Sequence, residues 1–194
     1  MSDTKQRLLE TAKDLFMARG YNAVGTNEIC LTAGVNKGTF YHFYKSKTDL
    51  ALDALDSYGN EFREDFERIV NSKAAPIKKI QQIFNIPYKS NKAWQGKHGY
   101  AQGCLVGNLS LELSTIDERV RKRLFAIMSQ WSKTLMPLVD ELIQSKAVSP
   151  INVEQGAMAL VSYLQGLTLM AKTSNDPKVI QRLGKGALSL LNGL

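Results

Sequence analysis

The sequence predicts an all-α chain, with a three-helix N-terminal domain carrying a helix-turn-helix and a larger helical domain behind it. Three observations predict it. Apolar residues recur every three to four positions through the long segments, no stretch alternates with a period of two, and residues 26–47 read as two short helices around a glycine turn. A chain of 194 residues and 21.6 kDa is long enough to bury a core in each domain. The division is set after Lys47, giving domains of 1–47 and 48–194.

Residues 4–19 form the first helix, with Leu8, Leu9, Ala12, Leu15 and Phe16 on one stripe and Gly20 ending it. It is a packing helix, because the two short helices that follow cannot cover Ile29, Val35 and Phe40 by themselves. Thr26 is expected to cap a helix beginning at Asn27, with Ile29 and Ala33 inside and Gly34 stopping it in a conformation other residues avoid. Asn36 caps the third helix. At about 100° per residue, Phe40, Phe43 and Tyr44 fall on one face of it, while Gly38, Tyr41 and His42 fall opposite, flanked by Lys37 and Thr39. Gly38 costs roughly 1 kcal/mol in helix propensity, and in exchange the backbone can come close to a partner. A unit of this shape lays its second helix in the DNA major groove, where hydroxyl, amide and ammonium groups reach phosphates and base edges.

Beyond it, Ser46 and Asp49 make the S-x-x-D form of a capping box for a long helix over 47–70. Leu50, Leu52, Leu55, Tyr58, Phe62, Phe66 and Ile69 form its apolar side, and it links the two domains. Pro76 opens another helix, expected to end at Ile86 before Pro87, and the polar, Gly-containing stretch 88–103 reads as a loop beside a pocket. Helices follow over 105–113, 117–145, 153–172 and 177–191. Pro137 kinks or subdivides the long one, in which Val120, Leu124, Ile127, Met128, Trp131 and Leu135 keep helical spacing. In the last two, Met158, Val161, Gln165 and Thr168 on one side, with Leu183, Leu190 and Leu191, make the expected surface for a second copy. Pairing has a physical motive, since two readers one helical turn apart add their contacts on a palindromic site.

The formal charge is +7, with seven Lys or Arg against four Asp or Glu in residues 1–47, so basic density is highest around the motif and suits a polyanionic partner. The uncharged stretch 155–171 contains Ser162, Tyr163, Gln165, Gly166 and Thr168, which is natural for a buried helix and poor for a membrane span. MSDTKQRLLE holds no apolar run of the signal-peptide type, and a cytoplasmic setting is expected. Cys30 and Cys104 lack CxxC or Cys/His spacing, which argues against a disulfide framework or a zinc site, and no cofactor is expected. His42 and His98 are the only histidines, and no Ser/His/Asp or HExxH arrangement can be built from the local sequence, so no catalytic residue is assigned. His42 reads as a phosphate or base contact rather than a general base. Lys47 is either a phosphate ligand beside helix N–H groups or an ordinary surface lysine.

The run AGVNKGTFYHFYKSKTDL, preceded by FMARGY and GTNEI, resembles the DNA-binding domain of the TetR family of bacterial repressors over roughly the first 50 residues. The resemblance implies a homodimeric repressor on operator DNA whose remaining chain is a divergent helical domain for ligand binding and dimerisation. The matching positions Thr26, Asn36, Lys37, Gly38, Thr39, Tyr41, His42 and Lys47 are the implied DNA contacts. Two residues depart from the usual pattern: Tyr44 stands where Phe is commoner, and Asn36 where Ser is usual.

The segment HGYAQGCLVGNLSLEL resembles the effector region of a TetR subgroup that senses electrophiles through one cysteine, with Lys172 as the matching lysine. Two readings of Cys104 fit the residues: a thiolate favoured by a helix N-terminus, or a small buried apolar side chain. Trp94, Tyr100, Asn108, Met128, Trp131 and Tyr163, with Met170, either line a mostly apolar effector pocket or serve as core. Switching is expected to move the 50–70 helix and change the separation of the two readers. The rival reading is an all-helical thiol-dependent transferase using Cys104, which lacks a recognisable base.

Overall fold

The computed structural model describes residues 3–194, and among them ten helices and no strand, the all-α class the sequence predicts. In chain order they are α1 (Asp3–Arg19), α2 (Thr26–Ala33), α3 (Lys37–Phe43), α4 (Lys47–Val70), α5 (Pro76–His98), α6 (Leu105–Leu113), α7 (Glu118–Gln144), α8 (Val153–Thr173), α9 (Lys178–Gly184) and α10 (Ala187–Asn192). None of the described helices is long and apolar enough to cross a membrane.

The chain packs as two compact units. One holds the residues up to Asn60 together with Leu105–Phe125; the other holds Glu61–Cys104 and Ala126–Leu194. In the first, Leu8, Phe16, Ile29, Phe40, Leu50 and Leu55 are completely buried, so α1 supplies the apolar partner that α2 and α3 need. Burying each such side chain contributes about 2 kcal/mol relative to leaving it in water. In the second unit Trp131 packs between Phe62 and Phe66, with ring centroids 5.5 and 6.2 Å away.

Local rules explain most helix ends. Ser46 Oγ accepts from the Asp49 amide at 3.1 Å and donates to Asp49 Oδ2 at 2.8 Å, so the expected pair does start α4. Asp117 Oδ1 accepts from the Arg119 and Val120 amides and starts α7, which runs through Pro137 unbroken.

Two expected elements differ. Helix α5 continues through Pro87 to His98, so most of the expected loop over 88–103 is helical and only the short stretch after His98 is irregular. Proline removes one backbone bond, but Pro87 is buried on the packed face and the Asn91 side chain donates to its carbonyl at 2.9 Å. The last expected helix is two short ones, α9 and α10. The Tyr163 hydroxyl donates to Leu183 O at 2.7 Å and the Gly186 amide takes the same carbonyl at 2.8 Å in a tight turn, which closes α9.

Helix α8 buries Ala157, Leu160, Val161, Leu164, Leu167, Thr168 and Ala171 within its own unit. Val161 and Thr168 therefore do not lie on its outer side, which runs instead through Met158, Ser162, Gly166 and Leu169. Met158 and Leu169 are 51% and 50% exposed, and they continue the i, i+4, i+7 pattern of a helix face without a partner of its own chain.

Candidate nucleic-acid interface and sensor region

Gly34 makes the turn between α2 and α3: its φ of 66° is left-handed, and the Val35 amide closes onto Cys30 O at 2.9 Å. The Asn36 carboxamide then caps α3, Oδ1 accepting from the Thr39 amide at 2.8 Å and from its hydroxyl at 3.0 Å. This locks α3 in rotation. Phe40 and Tyr44 go inward, Phe43 is half-buried, and Lys37, Gly38, Tyr41 and His42 are exposed, Tyr41 by 55%. Tyr41 stands edge-on to Phe40 at 5.1 Å and His42 edge-on to Phe43 at 4.9 Å, so the outward rings are braced by the inward ones. A concavity of about 470 Å³ on this face is lined by Asn36, Gly38, Thr39, His42 and Phe43, with Thr4 from the start of α1 at its rim.

Thr26 differs from its expected capping role. Gly25, extended at φ −91° and ψ 156°, occupies the cap position and its carbonyl accepts from Ile29 N at 3.1 Å, so Thr26 is the first residue of α2 and no side chain caps it. Lys47 is also engaged. Its ammonium donates to Tyr21 O at 3.0 Å and Val24 O at 2.9 Å and lies 3.9 Å from the centre of the Tyr21 ring. Burial there pulls its titration below the ordinary lysine range, against the opposing pull of Glu112. The Lys47 side chain thus ties the α1–α2 connection to the start of α4.

Two carboxylates that sequence reasoning missed hold this unit together. Glu112, on α6, accepts from the Tyr21 amide at 3.0 Å and the Asn22 amide at 2.9 Å. Its signal was an isolated acid in the otherwise uncharged run LVGNLSLEL. Asp53 of α4 accepts from Tyr44 Oη at 2.8 Å and pairs with Lys5 Nζ of α1 at 2.9 Å, joining three helices at one carboxylate.

In the second unit, Cys104 is buried at 6% exposure in the residue just before α6, and Gln165 Nε2 of α8 lies 3.4 Å from its Sγ. The connection leading to it is pinned on both sides. Asn91 accepts from the Gly103 amide at 2.8 Å and donates to the Gly103 carbonyl at 3.1 Å, while Asn175, after α8, accepts from the Ala101 amide at 2.8 Å and donates to Gly99 O at 3.0 Å. Asn175 does so from a positive φ of 49°, a conformation Asn tolerates. Lys172 is exposed in the last turn of α8, two turns beyond Gln165.

The remaining sensor candidates occupy several places. Trp94 stacks on His98 at 4.1 Å, its buried Nε1 without a partner among the described residues, and Tyr100 lies 6.2 Å beyond that imidazole. Trp131 belongs to the Phe62 and Phe66 cluster, with Met128 half-buried on the same helix, while Tyr163 bonds Leu183 and packs on Phe84 at 5.8 Å. Asn108 falls in the other unit, where its amide lies 3.9 Å from Met17 Sδ. Cys30 is buried and its thiol titration is pushed up by that burial. Among the described residues no cluster of His, Cys, Asp and Glu could hold a metal ion.

Comparison with known proteins agrees with this geometry. The family model for bacterial regulatory proteins of the tetR family matches residues 8–54, and that for the tetracyclin repressor-like C-terminal domain matches residues 78–186. The chain is 27% identical over 177 residues to the transcriptional regulator AcuR of Cereibacter sphaeroides, covering 89% of this chain and 78% of AcuR. It is 30% identical over 142 residues to the transcriptional repressor DhaR of Mycobacterium sp. strain GP1, covering 71% and 66%. The crystal structure of Escherichia coli NemR in its reduced form superposes with a TM-score of 0.83 at 23% identity, covering 99% of this chain and 96% of that one, which shows a shared fold. These relatives are regulators of transcription and not enzymes. With α2 and α3 as its helix-turn-helix, the chain belongs to the TetR family of bacterial DNA-binding transcriptional regulators.

Proposed function

We propose that the chain is a cytoplasmic, homodimeric repressor that holds a palindromic operator through residues 1–47 and is released by an effector or thiol modification sensed in residues 48–194. The observation that carries this reading is the outward face of α3, which exposes Lys37, Gly38, Tyr41 and His42 on a helix whose rotation is fixed by Asn36, with Gly38, Thr39 and His42 lining a shallow concavity. Lys37 and His42 meet phosphate or base edges, Gly38 admits close backbone approach, and Asn36 and Thr26 frame the contact. Lys47 acts from beneath, holding the α1–α2 connection that carries Thr26. The uncovered stripe Met158, Ser162, Gly166 and Leu169 supports pairing of α8 with its copy.

Release through Cys104 is supported by its position. An electrophile such as N-ethylmaleimide adds through its alkene carbon to the sulfur, forming a C–S bond while the thiol proton ends on the neighbouring carbon. The adduct cannot fit beside Gln165 in a site buried to 6% exposure, so it displaces Cys104 and the connection that Asn91 and Asn175 pin ahead of it. The chain runs from Cys104 directly into α6, which carries Glu112 and with it the grip on the Tyr21 and Asn22 amides. A noncovalent ligand near Trp94 and Tyr100, close to Lys172 in the chain of contacts through Asn175, would act on the same connection.

Operator affinity of the wild type and C104S, with and without N-ethylmaleimide, tests this. Loss of affinity by about tenfold or more in the wild type alone is expected. Equal release of C104S removes thiol sensing and leaves the noncovalent effector; equal affinity of the wild type in both states removes covalent release altogether.

A further inference from the structure

We propose that the groove between α5 and α9 is a binding site for a small polyanion, a molecule bearing at least two phosphate or carboxylate groups, separate from the operator-reading face. The groove encloses about 650 Å³, within the range of small-molecule sites. Its cations come from two helices. Lys178 and Arg182 of α9, with Lys185 just past its end and still in helical conformation, follow the i, i+4, i+7 spacing of one helix face, and Lys78 lies across from them on α5.

Among the described residues no carboxylate lines this groove. Arg182 is held by Asp176, whose Oδ2 lies 3.1 Å from Nη2, but the ammonium groups of Lys78, Lys178 and Lys185 have no ion-pair or hydrogen-bond partner among the described residues. The contrast with the next residue is informative: Lys79 points the other way and is fully matched by Glu141 at 2.7 Å and Val70 O. Like charges at i, i+4 on α9 repel one another, and an anion between them removes that cost.

The shape favours several anionic groups over one. From residue 178 to residue 185 the charges extend about 10 Å along the helix axis at 1.5 Å per residue, more than a single carboxylate or phosphate spans. The walls are firm. A Cβ on Gly184 would sit 3.0 Å from the Phe84 ring, so α9 rests directly on α5, and Gln181 Nε2 bonds Asn85 Oδ1 across the groove at 3.0 Å. That amide pair leaves further donors for anionic oxygens, and Lys, as a flexible point charge, suits either phosphate or carboxylate.

Calorimetric titration of the full chain at low ionic strength, without DNA, tests the site using tripolyphosphate, citrate and orthophosphate as probes. The expected result is one site per chain that takes tripolyphosphate or citrate about tenfold or more tighter than orthophosphate. The preferred probe then distinguishes a phosphate ligand from a carboxylate one. The K78Q/K178Q/K185Q variant alters only exposed side chains, and its affinity should fall about tenfold or more while its thermal unfolding is unchanged. The proposal is overturned if neither probe binds, or if the variant binds as tightly as the wild type. It is also overturned if random duplex DNA displaces the probes and itself loses affinity in the variant, which assigns the groove to nucleic acid. Because no operator is used, these outcomes are independent of the repressor reading.

Discussion

Tyr44 donates its hydroxyl to Asp53 Oδ2 at 2.8 Å, so the residue at which the reader's aromatic run departs from the commoner Phe is the one that bonds α3 to α4. Lys5 of α1 reaches the same carboxylate oxygen at 2.9 Å. The end of the reader helix is therefore held from behind by a hydrogen bond to an ion-paired carboxylate as well as by the Phe40 core. Burial and the adjoining carboxylate push the Tyr44 hydroxyl far above the ordinary phenol range, which keeps it protonated as the donor.

Replacing that hydroxyl should be felt in stability more than in recognition. Tyr44→Phe keeps the buried ring and leaves Asp53 with Lys5 as a partner, so a loss of about 1 kcal/mol is expected. Urea unfolding of the two proteins measures it. A loss near zero would mean that the hydroxyl bond adds nothing beyond ring packing.

The same carboxylate sets a pH dependence. Burial alone would raise the Asp53 titration, but Lys5 and the Tyr44 hydroxyl outweigh it and hold the group below its ordinary 3.8. A depressed carboxylate gives its stability in full above the unfolded value and loses it as pH falls through the folded one. The stability difference between wild type and Asp53→Asn should thus be constant above about pH 5 and shrink progressively below 3.8. Thermal melts of both proteins from pH 7 to pH 3 check this, and a difference that grows toward low pH would reverse the sign assigned to Asp53.

On the reader face, Lys37→Ala should weaken binding to all duplexes alike and reduce the slope of log affinity against log salt by about 1. Gly38→Ala tests close approach. Its added Cβ meets Asn36 Oδ1 at 3.2 Å, and that oxygen is fixed by its bond to Thr39, so the methyl group has to project toward the partner. Helix propensity favours alanine by about 1 kcal/mol, yet operator affinity should fall. Anisotropy titrations read both effects; a Gly38→Ala protein that binds operator as well as wild type would remove the backbone contact.

Glu112→Ala leaves the Tyr21 and Asn22 amides without their carboxylate partner and should cost about 1–3 kcal/mol in thermal stability. Hydrogen exchange at those two amides gives a direct reading. Protection unchanged by the substitution would show that Glu112 does not hold the connection.

The features legible in the sequence are those set by local chemistry. The Asn36 cap, the Ser46 and Asp49 pair, the Gly34 turn and the inward placement of Phe40 and Tyr44 each follow from a few adjacent residues. The features that were not legible depend on distant partners. Pro87 reads as a helix end, and it stays helical because Asn91 and a buried face compensate for one lost bond. Thr26 reads as a cap, but Gly25 opens the helix one residue sooner. The side of α8 left uncovered depends on how α9 and α10 fold back, which periodicity along α8 alone does not encode. Glu112, Asp53 and Asn175 bond residues far away in the chain, and no local pattern marks them as more than ordinary polar positions.

Fluorescence-anisotropy titration of the full chain against an inverted-repeat duplex from beside its coding region, and against a scrambled duplex, tests the reader assignment most directly. Two chains per repeat are predicted, with affinity at least about a thousandfold above the scrambled duplex and falling linearly in log affinity against log salt. Substituting Lys37, Tyr41 and His42 together with alanine should abolish that preference while leaving the fold intact, since all three are exposed. Equal affinity for the two duplexes, or an unaltered preference in the substituted protein, would contradict the assignment of α3 as the operator reader.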